Sequence, residues 1–124
     1  MNRELRNIAR RVRRRTTRQY GVWQPICHIA APLVTAELVA AGIPATTVRG
    51  AYVPAWVDDF DKETLVEHYW TETDTGYIID ITLDQLGWGR DRPEVRVRRG
   101  RSGGCGTYMT QEQLFDMMAV SSSI

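Results

Sequence analysis

Between Leu65 and Ile81, two runs rich in β-branched and aromatic residues are separated only by Asp74-Thr75-Gly76. So short a turn lets the runs pair only as an antiparallel hairpin. Ala45 to Val53 precedes them with Thr46, Thr47, Val48, Tyr52 and Val53 and reads as a further strand. Gly50 inside it marks a bulge or a close backbone approach. Upstream, Cys27 to Ala41 carries Ile29, Leu33, Ala36, Leu38 and Ala40 without a glycine, a helical composition. Gly42 suits the end of that helix and Pro44 prevents its continuation. Pro32 is tolerated only near a helix start, which places the first turn at Cys27 or slightly after it. The expectation is an α+β fold, with one helix packed on a small antiparallel sheet.

The remaining segments are less constrained. In Asn2–Arg18, Leu5, Ile8, Ala9 and Val12 form one thin apolar stripe, and eight arginines cover the other faces. The segment reads as a helix docked by its stripe, a surface for an anionic partner such as nucleic acid, or a disordered arm. No aromatic residue interrupts the arginines, so a stacking platform for single strands is missing. Residues 1–18 are set apart as an Arg-rich helix or arm, and residues 19–124 as a single domain. Residues 19–89 hold ten acids against Arg49 and Lys62, and residues 90–101 hold six arginines. An acidic centre is thus flanked by two basic segments, and 90–101 is a second candidate for an anionic partner. Its alternation at Val95, Arg96, Val97 and Arg98 fits an edge strand or an extended arm. Ser102 to Gly106 reads as a flexible link. Thr110 and Gln113 have the spacing of a capping box, with a last helix through Leu114, Phe115 and Met118.

Three residues have the makings of a site. Cys27 opens the helix, His68 lies in His68-Tyr69-Trp70, and Asp80 lies in the second hairpin run. A thiol, an imidazole and a carboxylate are the parts of a cysteine nucleophile, its base and the group that orients the base. A thiol at a helix N-terminus also feels the positive end of the helix dipole. With the hairpin centred on Asp74, opposed residues sum to about 148, as His68 and Asp80 do. Opposed residues share a face with Cβ atoms about 5 Å apart, within reach of a side-chain hydrogen bond. Trp70 falls on the same face and would shield the pair from water. Singly, each residue has a plainer role: a buried thiol, a core histidine, a turn cap. His28 adjoins Cys27 but points about 100° away along the helix, and Cys105 sits in a glycine-rich setting too mobile for a nucleophile. An oxyanion would be held by the Cys27 N–H with Gln24 or Gln19, and Trp23 joins Trp70 as a substrate-side aromatic. No Cys/His pair has zinc spacing and no phosphate-binding glycine motif occurs, so neither metal nor cofactor is expected.

Gly42-Ile43-Pro44-Ala45-Thr46-Thr47-Val48-Arg49-Gly50-Ala51-Tyr52 resembles the segment after the nucleophile helix in transglutaminase-like cysteine enzymes. His68-Tyr69-Trp70 resembles their His-x-Trp, and Tyr77 to Thr82 resembles their final Asp-x-Thr strand. The Asp80 to Gln85 run is similar to that of small phage and bacterial proteins of this type. The resemblance covers residues 27–82. It implies a papain-like core and a Cys27-His68-Asp80 triad acting on an amide bond of a peptide or protein substrate. Within that superfamily a cysteine peptidase is expected first. Acyl transfer or deamidation at Gln is the alternative, and a non-catalytic protein using its Arg-rich segments is the rival from another class. No apolar run is long enough for a membrane span, and no signal peptide is expected. Two cysteines make no disulfide scaffold, so a reduced, cytoplasmic protein is expected.

Overall fold

The structure, a computed structural model, describes residues 2–21, 26–55, 67–85, 94–103 and 106–122. Helix α1 (Asn2–Tyr20) is followed by α2 (Cys27–Ala40). Six strands come next: β1 (Ala45–Pro54), β2 (Glu67–Thr73), β3 (Tyr77–Asp80), β4 (Arg96–Arg99), β5 (Ser102–Gly103) and β6 (Gly106–Thr110). A single 3₁₀ turn, Leu83–Gln85, follows β3, and α3 (Gln111–Ser122) comes last. The strands form one sheet in the order β4-β3-β2-β1-β6-β5, and every neighbouring pair is antiparallel. The architecture is α+β, as the sequence led one to expect.

The termini of α2 and α3 follow from local chemistry. At the end of α2, Gly42 adopts φ +83°, and Gly42 N and Ile43 N donate to the carbonyls of Val39 and Leu38. That pattern is a Schellman cap, closed by contact between Leu38 and Ile43 in the core. Pro32 sits at the sixth position of α2, past the first turn, where its missing N–H leaves the His28 carbonyl without a helical donor. At α3, Thr110 Oγ1 accepts from Gln113 N at 3.2 Å while Thr110 N donates to Gln113 Oε1 at 2.9 Å, the two halves of a capping box.

The sheet buries both faces. Against one face, Leu5, Ile8, Ala9 and Val12 of α1 pack with Ala30, Val34 and Leu38 of α2 on Ile79, Ile81 and Val97. Each fully buried side chain of Leu size contributes about 1.5–3 kcal/mol. The thin stripe of α1 is therefore part of the main core, and the division expected after residue 18 falls inside one continuous helix. On the other face, Tyr52, Trp70, Ile78, Leu83 and Tyr108 form an aromatic cluster. Ile78 and Ile79 enter different clusters because successive strand residues face opposite ways.

Two expectations need correction. Within the link expected at Ser102–Gly106, Ser102–Gly103 is strand β5 and Gly106 begins β6, while Gly104 and Cys105 lie outside the described residues; β6 pairs with β1 from Gly50↔Thr110 to Pro54↔Gly106. The hairpin register also differs. Thr71 faces Ile79 and Glu72 faces Ile78, so paired residues sum to 150. The loop Asp74-Thr75-Gly76 is centred on Thr75, with Gly76 at φ +91° and Gly76 N bonded to the Thr73 carbonyl.

Candidate active site

The register change moves His68 and Asp80 out of direct opposition, and the β2–β3 ladder stops at Thr71 and Ile79 before reaching them. A shift of two leaves the faces unchanged, so the two side chains still meet, now diagonally. His68 Nε2 and Asp80 Oδ2 are 2.7 Å apart, and both side chains are almost wholly buried. Trp70 lies at 6.2 Å from the imidazole centroid with the rings 28° from parallel, and is itself fully buried. It lies on the same strand face as His68, as expected, but its full burial leaves no surface for the substrate-side role expected of it.

The carboxylate has more partners than the sequence disclosed. Tyr108 of β6 donates its hydroxyl to Asp80 Oδ2 at 2.7 Å. The Thr82 backbone N–H donates to Oδ1 at 3.1 Å, and the Thr82 hydroxyl lies at 3.5 Å from it. Burial alone would push the Asp80 pKa up; the charge and hydrogen bond of His68, with Tyr108 and Thr82, bring it below the ordinary carboxylate value. Burial likewise works against a charged imidazole, but Asp80 first and Cys27 second raise His68 to about 10. Tyr108 is pushed well above its usual value by burial and the Asp80 charge, so it remains a neutral donor. Histidine and aspartate therefore form a buried imidazolium–carboxylate pair.

Cys27 is the first residue of α2, half-buried and a free thiol. It acts on the His68 ring, yet Nδ1 is buried without a formed hydrogen bond. The thiol thus approaches the imidazole without completing a bond to the nitrogen that Asp80 leaves vacant. An unsatisfied buried nitrogen costs about 1–3 kcal/mol, and such a group in a folded protein calls for a reason. At the start of α2 the first-turn N–H groups have no helical acceptors. Ile26 N, just before Cys27, is held by Gln85 Oε1 at 3.3 Å.

The segment carrying Gln85 is itself fastened. Arg13 of α1, only 4% exposed, donates to the Ile81 carbonyl at 2.6 Å and forms a two-pronged pair with Asp84 at 2.7 and 2.9 Å. Arg13 and Gln85 are supporting residues that sequence reasoning missed. The one usable signal was Arg13 itself, which lies beside the apolar stripe and not opposite it.

The other expected site residues fare differently. Gln19 is exposed in the last turn of α1. Trp23, Gln24 and Cys105 lie outside the described residues. His28 is exposed on α2, near enough to Glu67 to help hold that carboxylate ionised after Arg49, which bonds it at 2.7 Å. Among the described residues, no three His, Cys, Asp or Glu side chains are grouped to hold a metal. Among the same residues no helix is long and apolar enough to cross a membrane.

Of the segment expected to meet an anionic partner, Arg90 and Arg92 lie outside the described residues, Arg99 is exposed, and Arg96, Arg98 and Arg101 are partly buried. Arg96 donates to the Tyr52 hydroxyl at 3.1 Å, Arg98 to the carbonyls of Gly100, Arg101 and Gly106, and Arg101 to both Glu72 oxygens. Arg99 lies over the Tyr77 ring at 5.0 Å.

Comparison with protein-family models, curated proteins and solved structures finds no match.

Proposed function

We propose that the protein is a thiol-dependent amide-bond hydrolase, a cysteine peptidase built on a transglutaminase-like, papain-like core. The observation that carries this reading is the buried His68–Asp80 pair at 2.7 Å, with Cys27 at the head of α2 as the second group acting on the ring. In the reaction, the Cys27 sulfur attacks the amide carbonyl as a thiolate, and the proton it gave up resides on His68. The tetrahedral oxyanion is met by the Cys27 N–H at the positive end of α2. Collapse breaks the C–N bond, and the imidazolium passes its proton to the departing amine. Water, deprotonated by the now neutral His68, attacks the thioester, releases the acid and restores the thiol. Asp80 holds the ring at Nε2 throughout and stabilises its charge whenever it is protonated, so Nδ1 is the nitrogen that works.

The test is labelling with an iodoacetamide probe at about pH 6, where an ordinary thiol is almost wholly protonated. Mass spectrometry compares Cys27 with Cys105. Preferential labelling of Cys27, abolished in His68→Gln, is expected. Equal labelling of the two thiols would leave a non-catalytic protein as the reading. A peptide substrate then separates outcomes: cleavage supports the peptidase, whereas ammonia release or amine incorporation at Gln reassigns the same site to deamidation or acyl transfer. Cys27→Ala should abolish each of these.

A further inference from the structure

Helix α1 carries eight arginines, and the structure divides them into two sets. Four have work within the protein. Arg6 reaches the Val97 carbonyl, Arg11 and Arg15 pair with Glu37, and Arg13 is clamped to Asp84. The other four, Arg3, Arg10, Arg14 and Arg18, are exposed and have no ion pair or hydrogen bond among the described residues. At about 100° and 1.5 Å per residue they fall in one strip roughly 80° wide and about 22 Å long. This strip lies opposite the buried stripe of Leu5, Ile8, Ala9, Val12 and Thr16. Four guanidinium groups without a partner among the described residues thus stand in a row on the exposed side of α1.

We infer that this outer row is a docking surface for the phosphate backbone of a nucleic-acid duplex, bound without regard to sequence. Charge complementarity selects a polyanion. A duplex presents one phosphate per strand for about every 3.4 Å of axis, so a row about 22 Å long runs past several. A membrane is the poorer partner because a helix that lies on lipid inserts its apolar face, and the apolar face of α1 is consumed in the core. A single strand is poorer as well, since no aromatic side chain stands in the row to stack a base. Phosphate contacts fix a protein on a duplex without reading its sequence, and that is the role assigned to the row. This inference does not depend on the chemistry proposed for Cys27.

The experiment uses the full chain and a fluorescent duplex of about 20 base pairs, followed by anisotropy between about 50 and 200 mM salt. With four phosphates engaged, log K should fall with log salt at a slope near −3.6, a loss of about a hundredfold over that range. Arg10→Gln with Arg14→Gln should reduce the slope by about 1.8 and weaken binding at the lowest salt. Arg11→Gln with Arg15→Gln removes the same charge from the Glu37 side and should weaken it far less. Circular dichroism checks that both variants keep their helices. Absence of binding at low salt overturns the inference, and so do equal losses in the two variants, which would mean net charge alone. Equal affinity for polyglutamate, or for vesicles with about a third phosphatidylserine, overturns the assignment to nucleic acid.

Discussion

At Asp80, burial and charge oppose each other most sharply. A carboxylate 1% exposed stays ionised because His68, Tyr108 and Thr82 replace the water it lost. Asp80→Asn should therefore fold but remove the charge that keeps His68 protonated. The amide would hold the ring without stabilising the imidazolium, and peptide cleavage should fall by about 10² to 10⁴-fold. Tyr108→Phe is milder, since it deletes one of several donors to the carboxylate. Urea denaturation should show a loss of about 1.5–3 kcal/mol, the contribution of a hydrogen bond to a charged group, with activity largely kept. A Tyr108→Phe protein as inactive as Asp80→Asn would show that the hydroxyl does more than support the carboxylate.

Among the elements, β1 and α1 do the most to position the site. Gly50 pairs with His68 on one side and Thr110 on the other. A Cβ there would run into the Met109 carbonyl oxygen and come within 2.8 Å of the Trp70 ring. Because the first of these neighbours is backbone, Gly50→Ala forces the strands apart. It should cost about 1–3 kcal/mol or more in thermal or chemical denaturation. The close backbone approach expected of a glycine in this strand is thus what the fold contains. The Arg13–Asp84 pair joins α1 to the segment after β3. Arg13→Met leaves a partly buried carboxylate unpaired and should cost about 3–5 kcal/mol, while Arg13→Met with Asp84→Leu should recover much of that loss. A double variant no better than the single would mean that the Ile81 carbonyl, and not Asp84, is the partner that matters.

On the scale of the whole molecule, the buried pair gives stability a pH dependence. His68 rises from an ordinary 6.5 to about 10, so its contribution is complete below 6.5 and is lost as pH climbs through about 10. Asp80 is depressed from 3.8, so its contribution is complete above 3.8 and is lost as pH falls through the lower folded value. The pair therefore stabilises most between 3.8 and 6.5, with a long decline on the alkaline side. Denaturation midpoints measured from about pH 6 to 10 should fall for the wild type and run flatter for His68→Gln. Parallel curves for the two proteins would contradict a charged His68.

Features that act over a few residues were legible before any fold was known. The glycine stop and following proline ended α2, Thr110 and Gln113 capped α3, and Cys27 stood at a helix start. Strand parity put His68, Trp70 and Asp80 on one face, and parity survived the wrong centring of the turn because moving the centre by one residue shifts the register by two. The alternation around Arg96–Arg98 fitted an edge strand or an extended arm, and β4 is an edge strand. Tertiary structure alone decided the rest. Glycines flank the start of β6 and hid it from any propensity argument, so Tyr108 could not be seen as the partner of an aspartate 28 positions away. Sequence set Arg13 beside the apolar stripe of α1 but could not name the Ile81 carbonyl and Asp84 as its partners. Local backbone preference reaches one turn of helix or one loop. Which carboxylate is stripped of water, and which donor replaces it, depends on surfaces that meet only when the sheet closes against α1 and α2.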